Sequence, residues 1–586
     1  MGAQSQLQFL SILALCLIFA QVDARPDAKT RPNVLMLFGD DLGHGDVSCY
    51  GKTKVPTPNI DKLAKEGLRF ERMYSQHMCT PSRSALMTGR LPSRNGMIQG
   101  YYDIPVLLSM AQPSGIADPK KEPNLASTLQ SLNYKTSLVG KWHLGFAHKG
   151  TQGPIAKGFD EFYGILLTHM ESCSSYDEWD DAKYSNFFIY KRRYKFALLG
   201  LIILVLRLTV FGNRGLVVML SLVALLVLYL RVYFFFSLTS THSCMWLNGT
   251  EVVEQPYKDR DATIRITDES IKFLKRAKAA DPKNKQPFFL SVNYMTPHQT
   301  PIVSKYHWGK SGHGLYSDCI MELDWSVGKI MATLKEQGYD NNTLIYFTSD
   351  NGPTKYNSYT NQVLPETNGG SAGSVKNSKG EDAPLRGWKG TNFEGGLRVP
   401  SIMRWLDVIE QGQVSEAVTS QMDFFPTVLE IVGLEDRIEK QRMDGKSLLK
   451  HLKNQNSFPT HHDFLFHYCD TQTVGAITYY NYKLHFFEGA HNYTCRGITY
   501  DSPKLYKLDD DPGELNPLSL DDHKDVINKM KEGLEKHQKT METDSVYFSQ
   551  FNDQPRPWDF PCENFPACTR ESKIKDDFTG LVDELL

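Results

Sequence analysis

Four short apolar runs of the sequence are each followed directly by side chains that bind cations or transfer protons. The runs cover residues 33–38, 134–140, 287–295 and 343–348. Helical patterns separate them, and this alternation predicts a mostly parallel sheet covered on both faces. Ligands bind beyond the carboxyl ends of parallel strands, so we expect the side chains that follow the runs to form one site. In chain order these side chains are Asp40 and Asp41, Lys141 and His143, His298, and Asp350 and Asn351.

The acidic members of this set suit a hard divalent cation. Asp40, Asp41, Asp350 and Asn351 offer only oxygen donors, which Ca²⁺ and Mg²⁺ prefer and zinc does not. Ca²⁺ tolerates an irregular cage rich in carboxylates, whereas Mg²⁺ requires a tighter octahedron. Short segments such as SDNG are more often simple turns, so the prediction depends on their convergence at strand ends.

A cysteine lies at the start of a predicted helix in the segment HMCTPSRSALMTGR. Thr80 can serve as the N-cap residue and Pro81 as the first helical residue. The N-terminus of a helix binds anions and lowers the pKa of a nearby thiol. Cys79 and Arg83 are therefore candidates to meet an anionic substrate.

The segment CTPSR (79–83), followed by LMTGR, resembles the signature of the type I sulfatase family, in which the cysteine of C-x-P-x-R is oxidised to formylglycine. The segments FGDDLGHGD, GKWHLG, TPH, SDNG and NFEGGLRVP recur in the same order as in sulfatases. The resemblance covers roughly residues 31–570 and is closest to the steroid sulfatase and arylsulfatase branch. It implies an alkaline phosphatase-like α/β fold: a large, mostly parallel mixed sheet sandwiched by helices, a small C-terminal antiparallel-sheet subdomain and an inserted hydrophobic helical hairpin.

The same resemblance implies a nucleophile and a metal ion. Cys79, converted to formylglycine by the formylglycine-generating enzyme of the ER, would hydrate to a gem-diol whose oxygen attacks sulfur, and Arg83 would stabilise the diol. Asp350 would accept the proton of the attacking hydroxyl. Asn351 stands where steroid sulfatase-like proteins often have glutamine, and both supply an amide oxygen. One Ca²⁺ ion per chain would be held by the converted Cys79 and by Asp40, Asp41, Asp350 and Asn351.

Further residues receive roles from the resemblance. Lys141 and Lys389, the latter in GWKGTNFEGG, would neutralise the charge of the sulfate group. His298, together with Lys389, would protonate the leaving alcohol, and His143 would take the second proton of the diol. Thr168, which follows GFDEFYGILL, would also contact sulfate.

The implied reaction is the hydrolysis of sulfate esters, with aryl or steroid sulfates as the expected substrates and sulfated glycans as the alternative. A related metal phosphohydrolase is disfavoured, because such enzymes usually carry serine or threonine as nucleophile and two metal sites rich in histidine. An inactive, membrane-tethered binding protein is disfavoured because every expected polar residue is present. The net charge of −2 argues against a nucleic-acid partner.

The length of 586 residues exceeds what one small core needs, so more than one domain is expected. The apolar run 9–20 predicts a signal peptide over residues 1–24 and hence a route into the ER. We expect a catalytic domain over residues 25–460. A C-terminal subdomain over residues 461–586 would contain short aromatic strands followed by a long helix around 523–543.

Residues 194–240 contain the longest apolar stretch of the chain. Two arms, 196–206 and 215–230, approach the length of about 20 residues that a bilayer crossing needs, and Asn213 and Arg214 mark a turn between them. A transmembrane helical hairpin is therefore expected; a buried core hairpin and a partly inserted one are the alternatives. The hairpin favours the ER membrane with a lumenal catalytic domain, and the lysosome and the extracellular space are the other compartments that a signal peptide allows.

An oxidising lumen predicts disulfide bonds and glycans. Cys49 and Cys319 have no obvious partner, and we expect them to be buried free thiols. The candidate disulfide pairs are Cys173 with Cys244, Cys469 with Cys495, and Cys562 with Cys568. The candidate glycosylation sites are the sequons at Asn248, Asn341 and Asn492.

Overall fold

The computed structural model describes the chain from residue 31 to residue 583, with gaps. The described ranges are 31–51, 53–98, 116–146, 150–168, 244–257, 260–299, 301–354, 371–454, 461–487, 499–541, 570 and 578–583. The predicted signal peptide and the predicted hairpin at 194–240 lie outside these ranges, as do Cys173, Cys495, Cys562, Cys568 and Asn492.

The described residues form the following strands. The first nine are β1 (Asn33–Gly39), β2 (Leu68–Phe70), β3 (Met73–Tyr74), β4 (Lys135–Lys141), β5 (Glu161–Ile165), β6 (Trp246–Asn248), β7 (Glu251–Glu254), β8 (Phe288–Asn293) and β9 (Thr343–Ser349). The others are β10 (Ser374–Lys376), β11 (Asp382–Pro384), β12 (Ser401–Arg404), β13 (Gln413–Ser415), β14 (Thr419–Ser420), β15 (Phe464–Tyr468), β16 (Val474–Tyr479), β17 (Tyr482–Phe487) and β18 (Thr499–Lys507).

The α-helices of the described ranges are interspersed among these strands. The first six are α1 (Pro58–Lys65), α2 (Cys79–Thr88), α3 (Pro92–Asn95), α4 (Leu125–Ser131), α5 (Ala262–Ala280) and α6 (Leu315–Glu336). The others are α7 (Glu394–Leu397), α8 (Phe424–Ile431), α9 (Asp436–Lys440), α10 (Leu449–Lys453), α11 (Lys524–Met541) and α12 (Thr579–Val582).

Ten of the described strands form one mixed sheet in the order β13-β2-β12-β9-β1-β8-β4-β5-β6-β7. Its centre, from β9 to β5, is parallel. The four apolar runs predicted as strands are β9, β1, β8 and β4, which are direct neighbours. Gly39 pairs with Ser349, and Asn293 pairs with both Phe38 and Gly140. This register brings the carboxyl ends of all four strands to one edge of the sheet.

Both faces of this sheet are covered, as the unbroken apolar runs predict. All seven residues of β1 are buried, and their side chains alternate between two hydrophobic cores. Val34, Met36 and Phe38 enter the first core, whereas Leu35 and Leu37 enter the second. The predicted sandwich of a parallel sheet between helices is therefore confirmed.

The C-terminal subdomain is a four-stranded antiparallel sheet in the order β15-β16-β17-β18. Helix α11 packs on it through buried Met530, and the ring of His537 stacks on Phe466 with 4.0 Å between ring centroids. The small antiparallel sheet and its long helix lie where the sequence predicts them.

The cysteines correct one predicted disulfide. Cys469 is a free, buried thiol whose Sγ atom accepts a hydrogen bond from Asn392 Nδ2 at 3.2 Å, so the predicted bond to Cys495 is wrong in this structure. The Sγ atom lies between the side chain of Asn392 and the backbone of Gly475. Cys244 is disulfide-bonded, and its predicted partner Cys173 lies outside the described residues. Cys49 and Cys319 are free, as predicted, but only Cys319 is buried and Cys49 is partly buried.

The surface positions of two sequons suit glycosylation. Asn248 and Asn341 are exposed, and glycosylation at these residues stays a prediction. None of the helices within the described ranges combines the length and the apolar composition that a membrane crossing requires.

A buried histidine makes stability depend on pH. Burial lowers the pKa of His451 to about 4, and its Nε2 atom lies 2.8 Å from Ser415 Oγ. Histidine in an unfolded chain titrates near pH 6.5, so on acidification the unfolded state binds the proton first. The stability present at neutral pH is therefore lost as pH falls from about 6.5 towards 4. We expect His451→Gln to reduce this loss by up to about 1.4 kcal/mol per pH unit.

Denaturant unfolding of the wild type and of the His451→Gln variant at pH 7.5 and pH 5 measures how their free energies of unfolding depend on pH. His313→Gln is the matched control, because His313 is exposed on the surface. An unchanged pH dependence in the His451 variant would contradict the prediction.

Candidate active site

The carboxyl ends of β1, β4 and β9 bring oppositely charged side chains into one buried cluster. Asp40 and Asp41 follow β1, Lys141 ends β4, and Asp350 follows β9. The exposed fraction of these four side chains is 0 to 1%. The backbone of Asp41 is left-handed, with φ of 62°. A non-glycine residue with this φ is strained, and such strain is concentrated at functional sites.

Each carboxylate of the cluster is matched with a cation. Lys141 Nζ lies 2.8 and 2.7 Å from the two oxygens of Asp40. Lys389 Nζ, from the loop before α7, lies 2.8 and 2.9 Å from the two oxygens of Asp41. Both carboxylates and both ammonium groups are thus buried, where charges interact strongly.

Arg83 connects the cysteine helix to the sheet edge. Its Nη2 and Nε atoms donate to Asp350 Oδ2 at 2.9 and 3.2 Å, and its Nη1 donates to the carbonyl of Lys141 at 3.3 Å. The guanidinium also lies 4.9 Å from the ring centroid of Phe38. Because Arg83 stays charged at any relevant pH, it fixes the orientation of Asp350.

Cys79 is the first residue of α2, so the helix begins earlier than the sequence suggests. The N–H of Ser82 donates to the carbonyl of Met78 at 3.0 Å, which makes Met78 the N-cap in place of Thr80. The Sγ atom of Cys79 lies 3.4 Å from Asp40 Oδ1 and 3.8 Å from Asp41 Oδ1. The cysteine therefore points into the carboxylate cluster.

The expected lowering of the thiol pKa is also wrong. Burial, together with the nearby charges of Asp350 and Asp40, raises the pKa of Cys79 well above its ordinary value. These effects outweigh the nearby charges of Lys141 and Lys389, which lower this pKa. Cys79 is consequently a neutral thiol at physiological pH, and a neutral thiol is a poor nucleophile.

The pKa values of two carboxyl groups of the cluster shift in opposite directions. Burial would raise the pKa of Asp41, but Lys389 and His298, with hydrogen bonds from Lys389 and Thr354, hold it well below its usual range. Burial and the neighbouring charge of Asp40 raise the pKa of Asp350 to about 6, although Arg83 opposes this. The site thus contains one carboxylate that stays ionised and one that is poised near neutrality.

The donor set fits a hard cation. Asn351 Nδ2 donates to Asp41 Oδ1 at 2.8 Å, while its Oδ1 atom is buried without a hydrogen-bond donor among the described residues. Such an orphan oxygen is costly unless a cation binds it. Asp40, Asp41, Cys79 and His298 also present ligand atoms within 4.8 Å of one another. Carboxylate and amide oxygens dominate the set, as Ca²⁺ or Mg²⁺ requires.

Comparisons with known proteins agree with this geometry. The sulfatase family model matches residues 32–434, and the model for the C-terminal region of aryl-sulfatase matches residues 460–570. The chain belongs to the sulfatase family. It is 34% identical to steryl-sulfatase of Homo sapiens, over 92% of this chain and 94% of that protein. It is 33% identical to Arylsulfatase H of Homo sapiens, over 92% of this chain and 97% of that protein.

Solved structures and more distant relatives extend the comparison. The PsFucS1 sulfatase from Pseudoalteromonas sp. matches with a TM-score of 0.68 and 27% identity, over 88% of this chain and 92% of that one. N-acetylgalactosamine-6-sulfatase of Canis lupus familiaris is 29% identical over 92% of both chains. The chain is thus a sulfuric ester hydrolase of the arylsulfatase and steryl-sulfatase type, with the alkaline phosphatase-like sulfatase fold.

The two predicted catalytic histidines of the sulfatase lie beside the cluster in different environments. His298 Nε2 lies 3.8 Å from Asp41 Oδ2. His143 is 7% exposed, has a φ of 60°, and neither ring nitrogen has a hydrogen-bond partner within the described ranges. Burial, with Lys141 and Arg83 nearby, lowers the pKa of His143 well below its ordinary value. The ring is therefore neutral.

Two threonines near the site differ in how the sequence analysis treated them: Thr168 was predicted to contact sulfate, and Thr354 was not predicted. Thr168 follows β5, and its buried hydroxyl makes no hydrogen bond with any described residue, so its contact with sulfate stays a prediction. Thr354 Oγ1 donates to Asp41 Oδ2 at 2.6 Å, a contact that the sequence analysis missed. The signal for it is its place three residues after Asn351, in the same turn beyond β9.

Proposed function

We propose that this sulfatase hydrolyses aryl or steroid sulfate esters with residue 79 as a formylglycine and with one bound Ca²⁺ ion. The observation that carries the proposal is the position of Cys79 at the start of α2, 3.4 Å from Asp40 and between two buried lysine–carboxylate pairs. An unmodified thiol is held neutral there and would react poorly. Oxidation of this side chain to an aldehyde provides an oxygen nucleophile at the same position.

The residues that fit the cation are Asp40, Asp41, Asp350 and Asn351. When bound, Ca²⁺ supplies positive charge for sulfate oxygens, and the hydrated aldehyde supplies the attacking oxygen and a second hydroxyl.

The remaining residues bind the substrate and move protons. Lys141 and Lys389 neutralise the negative charge of the sulfate group. Their ammonium groups are buried at the cluster, where fixed charges act more strongly than in water. Arg83 holds Asp350, whose pKa of about 6 suits it to accept a proton near neutral pH. Neutral His143 accepts a second proton, and His298 donates one to the leaving alcohol.

The substrate class is inferred from the named relatives. Steryl-sulfatase and Arylsulfatase H share 34% and 33% of their residues with this chain over nearly their full lengths. Sulfated glycans are the second candidate, because N-acetylgalactosamine-6-sulfatase also matches at 29% identity over 92% of the chain. Turnover of an aryl sulfate, a steroid sulfate and N-acetylgalactosamine 6-sulfate by one preparation distinguishes these classes.

A secretory location is part of the proposal. The disulfide-bonded Cys244 and the exposed sequons at Asn248 and Asn341 suit an oxidising lumen. The ER would supply the formylglycine-generating enzyme, and the predicted hairpin at 194–240 would hold the protein in the ER membrane with a lumenal catalytic domain.

Mass analysis of residue 79 tests the proposal. Trypsin releases the peptide from Met73 to Arg83, in which an aldehyde and a thiol differ in mass. We expect the aldehyde in active protein from cells that carry the formylglycine-generating enzyme, and the thiol in inactive protein from cells without it. Full sulfatase activity in a preparation that carries only the thiol would refute the proposal.

A further inference from the structure

The loop from Arg386 to Phe393, which leads into α7, delivers Lys389 to the active site, and backbone hydrogen bonds hold its tip there. The N–H of Lys389 donates to the carbonyl of Pro353 at 2.9 Å, and the N–H of Gly390 donates to the carbonyl of His77 at 2.7 Å. The Lys389 ammonium then reaches Asp41. The position of this ammonium therefore depends on how the loop is seated.

The base of the same loop is held by one residue of the C-terminal subdomain. The N–H of Glu394 donates to Glu514 Oε2 at 2.7 Å, and Arg386 Nη1 donates to the backbone carbonyl of Glu514 at 3.1 Å. Both ends of the loop thus meet at Glu514. The N–H of Gly395 closes the base by donating to the carbonyl of Arg386 at 2.6 Å.

Glu514 is fully buried, and two side chains of β17, Lys483 and His485, face its carboxylate. His485 Nε2 lies 2.6 Å and Lys483 Nζ 3.3 Å from Glu514 Oε1. Lys483 Nζ also lies 2.8 Å from Glu394 Oε1, so one lysine joins the carboxylates on both sides of the interface. All four side chains are completely excluded from solvent.

Burying such a charged network costs more free energy than burying an apolar contact of equal size. Removing charges from water is unfavourable, and well-packed apolar residues often stabilise an interface better than buried ion pairs do. Glu514 also has a left-handed backbone, with φ of 51°, which adds strain. Stability alone therefore does not account for this arrangement, whereas a directional hold on the loop does.

We propose that Glu514 is a positioning residue through which the C-terminal subdomain seats the Lys389 loop for catalysis. The inference rests on the proposed role of Lys389 in binding sulfate. Glu514 touches neither the substrate nor the reacting atoms, and it acts by fixing the two ends of the loop.

A double-mutant cycle with Lys389 tests the proposal. Glu514→Gln keeps the size of the side chain but removes the charge that Lys483 and His485 face. We expect it to lower kcat/KM for an aryl sulfate by 10- to 100-fold, the order of loss that a displacement of about 1 Å produces. In a Lys389→Ala background the same change should cost less than twofold, because the residue that it positions is absent.

Asp509→Asn is the matched control. Asp509 lies in the same segment after β18, pairs with Arg72 across the same interface, and does not contact the loop. We expect this variant to retain kcat/KM within twofold. Thermal midpoints of all variants report whether each one is folded.

Hydrogen exchange gives a readout that does not depend on activity. We expect Glu514→Gln to speed exchange of peptides within residues 385–396 while peptides of β1 and β9 stay protected. An equal cost of Glu514→Gln in both backgrounds, or unchanged exchange in the loop, would overturn the positioning role. Wild-type kinetics in the single Lys389→Ala variant would instead refute the proposed role of Lys389 and remove the basis of the positioning role with it.

Discussion

Cys79→Ala is expected to lower kcat for an aryl sulfate by roughly 10⁴-fold or more, the scale on which loss of an enzyme nucleophile acts. Alanine cannot be oxidised to an aldehyde, so the variant has no oxygen nucleophile between Asp40 and Asp41. The change shortens only one side chain in a site that Arg83, Lys141 and Asp350 hold in place, so the fold should persist. Steady-state kinetics and a thermal midpoint measure the two effects separately.

Cys79→Ser separates attack from release. A serine hydroxyl can accept one sulfate group but has no second hydroxyl to expel it, so we expect a stable sulfated protein that mass spectrometry detects. Cys319→Ser is the matched control. Cys319 is a buried free cysteine in α6, its Sγ donates to the carbonyl of Ile302 at 3.3 Å, and serine can keep that bond. Turnover by the alanine variant at the wild-type rate would exclude residue 79 as the nucleophile.

Removal of divalent cations is expected to abolish activity, and Ca²⁺ should restore it better than Mg²⁺ does. Binding should also stabilise the fold, by about 2.7 kcal/mol when free Ca²⁺ exceeds the dissociation constant 100-fold. Asp41→Asn removes one ligand charge and should weaken Ca²⁺ binding by at least about 10- to 100-fold. Calorimetry and the shift of the thermal midpoint with Ca²⁺ measure binding without reference to activity.

Asp46→Asn is the control for this experiment. Asp46 lies in the same loop as Asp41, but its carboxylate accepts hydrogen bonds from Tyr316, Gly43 and Ser371, outside the cluster. Burial raises the pKa of Asp46 to about 7, so asparagine resembles its neutral form. We expect Ca²⁺ affinity to stay within a fewfold of wild type. Equal weakening by both variants, or no stabilisation by Ca²⁺, would contradict the assignment of the metal site.

The prediction of the site from sequence depends on one physical rule that links distant residues. Parallel strands buried on both faces produce unbroken apolar runs, and the residue after each run must emerge at the same sheet edge. This rule alone placed Asp40, Lys141 and Asp350 together. In the structure Lys141 contacts Asp40, and Arg83 pairs with both Asp40 and Asp350.

The predictions that failed depend on environments that a local sequence does not encode. The pKa of Cys79 is raised because burial and the charges of Asp350 and Asp40 outweigh those of Lys141 and Lys389. The thiol of Cys469 is free and accepts a hydrogen bond from Asn392, which is remote in sequence. The network of Glu514 was missed, although Lys483 and His485 lie two residues apart in β17 and so share one buried face, a pattern that a sequence can reveal.

The sequence by itself determined the α/β sheet, the antiparallel C-terminal sheet, the cysteine of the signature and the oxygen donors that follow the strands. These features depend on periodicity and on residue type, which are properties of short segments. Only the tertiary structure decided which cation faces which carboxylate, that the thiol stays neutral, and that Glu514 holds the loop of Lys389. Those outcomes depend on distances and desolvation, which arise when segments far apart in the chain pack against one another.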